Sequence, residues 1–373
     1  REVSLIHPDD AHRFFDEWLE ALRCQGVDGV KVDNQASLWH LLPAESDRAA
    51  TCRRFLRGLQ AACGLTMENH HICSMGQSLE VASQAFAPQI IRNSEDYFPG
   101  GDAQRHVLHN AYNTLWTSAF GLPDWDMFQT HDEAAGFHAA ARAISGGPIT
   151  LSDRPGEQDL AILDTLCTSD GRILRLDRSA RPTKDRLLTD CSREPLLLKL
   201  ENRAGCRGVL GLFHCRGAAC DDEALEAARE PIEDRFRVAD VPDLAEGRFA
   251  VYLQQRQELR VLDRRHVWRL ELPWRGFEIA TLAPLEGEVA ALGLLDKLAG
   301  AAALRGAGWM SPQRYRLELR DGGRLGLYWG LPAPTRVTLN GIPLDGPTPT
   351  PRKDGLLVVE VPRGEIADLE LYL

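Results

Sequence analysis

The 373-residue sequence predicts an α/β half followed by an all-β half, and three features of the residue order carry that expectation. Through about residue 170, short apolar runs alternate with stretches of helical spacing, as in a parallel sheet with right-handed crossovers. Beyond that point helical spacing fades, and Leu-rich and β-branched runs stand between turn signals, as in an antiparallel sandwich. Each candidate parallel strand also closes on polar residues: Asp33, Glu68 and Asn69, Asp96, Asp126, Asp153. Boundaries follow at residues 1–170 and 171–373.

The elements follow in order. HPDDAHRFFDEWLEALRCQ, from His7, sets Phe14, Phe15, Trp18, Leu19 and Leu22 at helical spacing, with Asp9 or Asp10 as cap. GVDGVKVDNQ, Gly26 to Gln35, is a Val-rich strand whose ionisable groups are costly unless they sit at its end. A second helix is expected over Asp47–Cys63, stopping on Gly64, then a short strand LTMEN, Leu65 to Asn69. QIIRNSED (Gln89–Asp96) reads as a strand and Gln104–Phe120 as a helix ending on Gly121. PDWDMF (Pro123–Phe128), a helix over Glu133–Ser145 and GGPITLSD (Gly146–Asp153) complete the alternation. A closed barrel and a doubly wound sheet both place ligands at strand C-termini, so periodicity alone leaves the two open.

In the second half the strand candidates are LLLKLE from Leu196, GVLGLFH from Gly208, FAVYLQ from Phe249 and GLLVVEVP from Gly355. YRLELRDGGRLGLYW, from Tyr315, reads as a hairpin turning at Asp321–Gly323. The stretch Glu286–Gly306 reads as a short helix between strands.

Composition narrows the function classes. With 43 Lys and Arg against 54 Asp and Glu, the net charge of −11 argues against a nucleic-acid or anionic-membrane binder. Pairs such as Arg53–Arg54 and Arg264–Arg265 are short solvated faces. No apolar stretch reaches the length of a span and the opening REVSLIHPDD lacks a secretion pattern, so a cytoplasmic location is expected. Starting at Arg1 and running straight into a helical pattern, the sequence is expected to be a fragment or processed piece. Nine cysteines without a C-x-x-C pair read as small buried residues in a reducing compartment, with a Cys215–Cys220 bridge as the alternative in an oxidising one. His70, His71, His106 and His109 lack the converging acid that a zinc site needs, and no metal or cofactor is expected.

Asp33 and Asp96 stand out as a pair. Both follow apolar strand patterns at the rim of one expected sheet, although they lie far apart along the chain. Two carboxyl groups flanking a sugar are what glycoside hydrolysis requires, one attacking the anomeric carbon or activating water and one protonating the leaving oxygen. Lys31, two residues before Asp33, projects to the same side and favours its ionised form. The bland alternative is that Asp33 caps the next helix and Asp96 sits in a turn.

The words GVDGVKVDNQ, RNSEDYFPG, AYNTLWTSAFGLPDWDMFQT, AARAISGGPITLSDRPGEQD, RPTKDRLL, GVLGLFHCRG and GRFAVYLQQRQELRVL resemble, in order, the raffinose synthase and seed-imbibition α-galactosidase group, akin to glycoside hydrolase family 36. The resemblance implies the later part of a (β/α)8 barrel followed by a C-terminal antiparallel β-sandwich. It implies a retaining mechanism on α-galactosides, with Asp33 of KVD as nucleophile and Asp96 of RNSED as acid/base. Arg92 then binds a hydroxyl, Trp125 walls the sugar pocket, and Asp126, like Asp124, either binds a hydroxyl or holds the loop. SDRPGEQD (Ser152–Asp159) is substrate-lining or structural. The family's early barrel strands, N-terminal β-domain and some galactose-recognising acids have no counterpart here, so a further segment or second chain is expected to complete the barrel. TMENHHICSMGQ (Thr66–Gln77) departs from the plant pattern and leaves the substrate beyond the galactosyl unit undefined.

Three functions are compatible with these residues. The leading expectation is hydrolysis of terminal α-galactosyl linkages in raffinose-type oligosaccharides. The alternatives are galactosyl transfer to a sugar acceptor, as in raffinose synthase, and a non-catalytic carbohydrate-binding fragment.

Overall fold

Helix α1 (Ala11–Arg23) forms where the apolar spacing places it, and buries Leu19 completely. Its start differs from expectation. Neither aspartate caps it; a 3-10 turn over Pro8–Asp10 leads in, the Asp9 N–H donates to His7 Nδ1, and the Asp9 carboxylate pairs with Arg54. The computed structural model describes residues 4–43, 46–86, 89–218, 228–364 and 367–373. Cys220 lies outside them, and with it the proposed bridge; the other eight cysteines are free thiols.

The chain divides into two units, Arg1–Glu95 with Asn113–Asp126, and Asp96–Tyr112 with Met127–Leu373. In chain order the elements are β1 (Val30–Val32), α2 (Leu38–Leu41), α3 (Arg48–Thr66), β2 (His71–Cys73), α4 (Leu79–Ala82), β3 (Ile90–Arg92), α5 (Ala103–Thr117) and β4 (Leu122–Asp124). Next come β5 (Met127–Phe128), α6 (Ala135–Ser145), β6 (Thr150–Leu151) and α7 (Leu160–Asp164).

The first unit is built on a parallel sheet in the order β1-β2-β3-β4. Leu19 of α1 packs with Leu59, Ala62 and Cys63 of α3, and Val30 and Val32 rest against them. The two helices approach closely because α3 carries Gly58, where a Cβ would stand 2.8 Å from the His12 backbone nitrogen. Helix α3 runs past Gly64, the expected stop. Glu68 and Asn69 adopt the left-handed conformation instead (φ 51° and 64°), so the reversal falls four residues later and the strand is His71–Cys73 rather than LTMEN.

In the second unit, β5 and β6 pair in parallel. Helix α6 ends on Gly146 (φ 72°), where a Cβ would meet the Arg178 carbonyl oxygen at 1.9 Å. The strands that follow are antiparallel: β7 (Arg181–Pro182), β8 (Leu198–Ala204), β9 (Arg207–Phe213), β10 (Ile232–Phe236), β11 (Arg248–Leu253), β12 (Glu258–Asp263), β13 (Trp268–Leu272), β14 (Phe277–Pro284), β15 (Val289–Leu294), β16 (Leu304–Ser311), β17 (Arg314–Leu319), β18 (Gly323–Trp329), β19 (Arg336–Leu339), β20 (Ile342–Pro343), β21 (Leu356–Val361) and β22 (Ala367–Tyr372).

A six-stranded sheet, β12-β11-β14-β9-β8-β7, packs on both faces at its strand β11. Phe249, Val251 and Leu253 of β11 pack with Phe236, Trp268 and Leu270 of the β10–β13 pair, while Ala250 and Tyr252 pack with Ala290, Leu292 and Leu356 of the β15-β18-β21 sheet. Period-two alternation therefore feeds two cores, and FAVYL is uninterrupted because neither face meets water.

Two expectations are corrected here. Asp321–Gly323 is not a hairpin: β17 belongs to the β16-β17-β22-β19-β20 sheet and β18 to the β15-β18-β21 sheet. The buried Asp321 carboxylate accepts the N–H groups of Gly322 and Gly364 and the Ser169 hydroxyl, pinning a corner between sheets. Glu286–Gly306 contains strand β15 and a 3-10 turn over Gly300–Ala303, not a helix between strands, because pairing with β18 satisfies the backbone of Val289–Leu294. No helix among the described residues is long and apolar enough to cross a membrane.

Candidate active site

At the C-terminal end of β1, the residues expected to carry chemistry lie at the surface. Lys31 and Asp33 are both exposed, and Asn34 follows in the left-handed conformation (φ 57°), turning the chain into a short 3-10 segment, Gln35–Ser37. Behind them Gln35 is buried; its amide donates to the Val32 carbonyl at 3.1 Å and faces His71 Nε2 at 3.2 Å. Burial pushes His71 down to about 4, so the ring is neutral at pH 7 and Nε2 can accept from Gln35.

The ends of β3 and β4 hold a buried charge cluster. Arg92 Nε donates to Asp124 Oδ2 at 3.2 Å, and Arg92 Nη2 lies 2.7 Å from Asp126 Oδ1. Both carboxylates are 1% exposed, and Arg92 is 5% exposed. Asp126 takes the left-handed conformation (φ 63°) and donates its N–H to Asp124 Oδ1 at 3.0 Å, which bends the chain between β4 and β5. PDWDMF is thus two short strands and a bend rather than one strand. Arg92, expected to bind a hydroxyl, is held by two carboxylates of its own chain, and those two aspartates serve the same guanidinium.

Trp125, expected as a pocket wall, has no exposed surface; its indole N–H donates to Thr114 Oγ1 at 3.1 Å. The same hydroxyl accepts from Asn93 Nδ2 at 3.1 Å, and the Asn93 N–H donates to the Asp124 carbonyl at 2.9 Å. Asn93 is completely buried and ties the end of β3 to the end of β4.

Asp96 belongs to the second unit and is exposed. The next residue, Tyr97, donates its hydroxyl to Asp132 Oδ2 at 2.6 Å, an oxygen that also accepts the Gly100 N–H at 2.9 Å. Burial works against ionisation of Asp132, but the bonds from Gly100, Tyr97 and Ala134 outweigh it and hold its pKa below the usual carboxylate value. Tyr97 also meets His138 edge-on, with ring centroids 5.2 Å apart, and His138 Nδ1 lies 2.9 Å from Arg142 Nη1. Burial and then the neighbouring Arg142 push His138 far below its ordinary value, so it is neutral. In SDRPGEQD, Asp153 accepts from the Thr130 N–H and hydroxyl, and Asp159 caps α7, so these two acids are tied into the fold.

Asn93, Gln35, Asp132 and His138 were not singled out from the sequence. The signal for Asn93 is its position immediately after Arg92 at a strand end; the others become neighbours of the candidate residues only through sheet pairing and long-range hydrogen bonds. Of the four histidines weighed as ligands, His71 and His106 are buried, and His70 and His109 are exposed. Among the described residues no group of three or more His, Cys, Asp or Glu is arranged to hold a metal ion.

The pattern of the family described as "Raffinose synthase or seed imbibition protein Sip1" matches residues 1–344. The chain belongs to that family. It is 33% identical over 336 residues to the galactinol–sucrose galactosyltransferase of Oryza sativa subsp. japonica, covering 82% of this chain and 43% of the relative. It is 32% identical over 351 residues to the Arabidopsis thaliana protein named "Probable galactinol–sucrose galactosyltransferase 6", covering 87% and 47%. The chain therefore spans about half the length of the raffinose synthase relatives it matches. Among solved structures, a GH27 β-L-arabinopyranosidase from Geobacillus stearothermophilus superposes with a TM-score of 0.52 at 14% identity, over 75% of this chain and 63% of the other, a likeness of fold. The sequence resemblance is thus correct at the level of family. Between the two catalytic outcomes it left, the relatives' names favour transfer over the leading expectation of hydrolysis.

Proposed function

We propose that the chain carries the catalytic carboxylates of a retaining galactosyltransferase that moves an α-galactosyl group from a donor glycoside to the hydroxyl of a sugar acceptor. The observation that carries this reading is the KVD sequence closing β1, whose Asp33 is exposed at the C-terminal end of a parallel strand, in a chain of the raffinose synthase family. The parallel strands are, in this reading, the later part of a (β/α)8 barrel. Such a barrel needs more parallel strands than the described residues supply, and we assign the others to a further segment or a second chain.

Asp33 attacks the anomeric carbon as the glycosidic C–O bond breaks, and Asp96 gives its proton to the leaving oxygen. In the second half Asp96 takes the proton of the acceptor hydroxyl, whose oxygen displaces Asp33 and restores the original anomeric configuration. Lys31, on the same side of the strand as Asp33, reaches a sugar hydroxyl. Arg92 and Asp126 order the floor beneath the galactosyl unit, and Trp125 supports it from within. With water as the acceptor the same intermediate yields hydrolysis, so the two activities differ in acceptor binding and water exclusion.

The test is product analysis on the whole-length protein. Supplied with galactinol and sucrose it should form raffinose faster than free galactose, and Asp33→Asn should abolish both products. Asp96→Ala should retain more activity on an aryl α-galactoside, whose leaving group needs no proton, than on galactinol. Free galactose as the dominant product would return the reading to hydrolysis. Near-normal rates in Asp33→Asn would remove the nucleophile assignment.

A further inference from the structure

We propose that a recess formed by Arg172, Arg175, Arg305 and Arg320, within the second unit, binds a small phosphorylated metabolite by its phosphoryl end. The recess encloses about 450 Å3, and its charged lining is four guanidinium groups against one carboxylate, Asp170. Such a concentration of positive charge is unexpected in a chain with a net charge of −11.

The four cations come from three separate places, and each is set by a specific feature. Arg172 and Arg175 lie on and just beyond a tight clip in which Cys167 bridges Ile173, the Thr168 N–H donates to the Arg172 carbonyl at 2.8 Å, and the Gly171 N–H donates to the Thr168 carbonyl at 2.9 Å. The tip of that clip is fastened to the sheet corner, because the Ser169 hydroxyl donates to Asp321 Oδ1 at 2.8 Å. Arg320 immediately precedes that aspartate, and its Nε donates to the Ala302 carbonyl at 3.0 Å, which fixes the plane of its guanidinium. Arg305 is the extra residue of a β-bulge: Leu304 pairs with Leu319 and Gly306 with Glu318, leaving Arg305 without a cross-strand partner. Bulges redirect the inserted side chain, here toward the recess.

Arg172 pairs with Asp170 at 3.1 Å, but among the described residues no carboxylate lies within ion-pairing distance of Arg175 or Arg305. Like charges gathered in one concavity repel, and an anion relieves that repulsion while accepting their hydrogen bonds. Guanidinium groups converging from three directions suit a phosphoryl group, which presents three acceptor oxygens around a tetrahedral centre, better than a planar carboxylate with two. The recess is larger than one phosphate, and Ile173, 38% exposed and backed by the buried Leu174, gives an apolar surface for the organic part of the ligand.

The test is calorimetric titration of the chain, in phosphate-free buffer at low salt, with phenyl phosphate, inorganic pyrophosphate and benzoate. Phenyl phosphate and pyrophosphate should bind one to one, phenyl phosphate about tenfold or more tighter than benzoate, with affinity falling as salt is added. In Arg175→Ala/Arg305→Ala, binding should weaken at least about tenfold while the far-ultraviolet circular dichroism stays unchanged. Should the double variant lose its fold, Arg305→Gln alone must show the weakening. Absence of binding at millimolar phenyl phosphate, benzoate binding as tightly, or undiminished binding in the folded variant would each overturn the proposal.

Discussion

Acidification from pH 7 to pH 4.5 should remove about 2 to 3 kcal/mol of stability through His71 alone. A histidine in an unfolded chain titrates at about 6.5, whereas burial holds His71 at about 4 in the folded protein. Because the folded value is the lower one, the unfolded state binds more protons between the two values. Stability from the neutral ring is therefore full above pH 6.5 and is lost as pH falls toward 4. At pH 4.5 the unfolded chain is favoured by a factor on the order of 100 relative to high pH, which converts to about 2 to 3 kcal/mol. Protonation also gives Nε2 a hydrogen that opposes the amide donor of Gln35, 3.2 Å away. The assay is urea unfolding of the wild type and His71→Gln at pH 7 and pH 4.5. The glutamine keeps an acceptor near Nε2 but does not titrate, and contributions from His138 and the carboxylates cancel in the comparison. The wild type should lose about 2 to 3 kcal/mol more than the variant across that range. Equal losses would refute the assignment of a buried neutral ring.

Two further substitutions test the frame around the candidate site. Arg92→Met leaves Asp124 and Asp126 buried without their cation and should cost about 3 to 5 kcal/mol in denaturant unfolding; adding Asp126→Asn should recover part of that loss, and a cost under about 1 kcal/mol would mean the pair is solvated. Gly146→Ala introduces both a left-handed alanine and a Cβ 1.9 Å from the Arg178 carbonyl oxygen, so its melting temperature should fall further than that of Gly156→Ala, where φ is 86° but nothing lies within 4 Å. Equal shifts in the two variants would place the whole effect in backbone conformation.

The local signals read well wherever one short range of sequence contains its own cause. The apolar spacing of Phe15, Leu19 and Leu22 sufficed for α1, and Gly146 marked the end of α6, because a left-handed residue with no side chain is a chain terminator in its own right. Gly64 gave the same signal and was overruled: the hydrogen bonds from Met67 and Asn69 to the Cys63 carbonyl extend α3, and Glu68 and Asn69 bear the left-handed strain. The run VAALGLL, read as part of a short helix, is instead mostly a strand, because β18 supplies it with a partner. The DGG turn could not reveal that its two flanking strands enter different sheets, since Asp321 is fixed by Ser169, 152 residues earlier.

What the sequence determined alone is the family and the order of chemistry-bearing words along the chain, because those depend on residue identity at short spacing. It placed Asp33 after a strand, but it ran the QIIRNSED strand on to Asp96, whereas β3 closes at Arg92. Only the tertiary structure decided that Arg92 lies between Asp124 and Asp126, that Trp125 is enclosed, and that four arginines from distant segments share one recess. Each of these depends on which strands pair and where a bulge or bend aims a side chain, and such choices are made by packing and hydrogen bonding between residues that are remote in sequence.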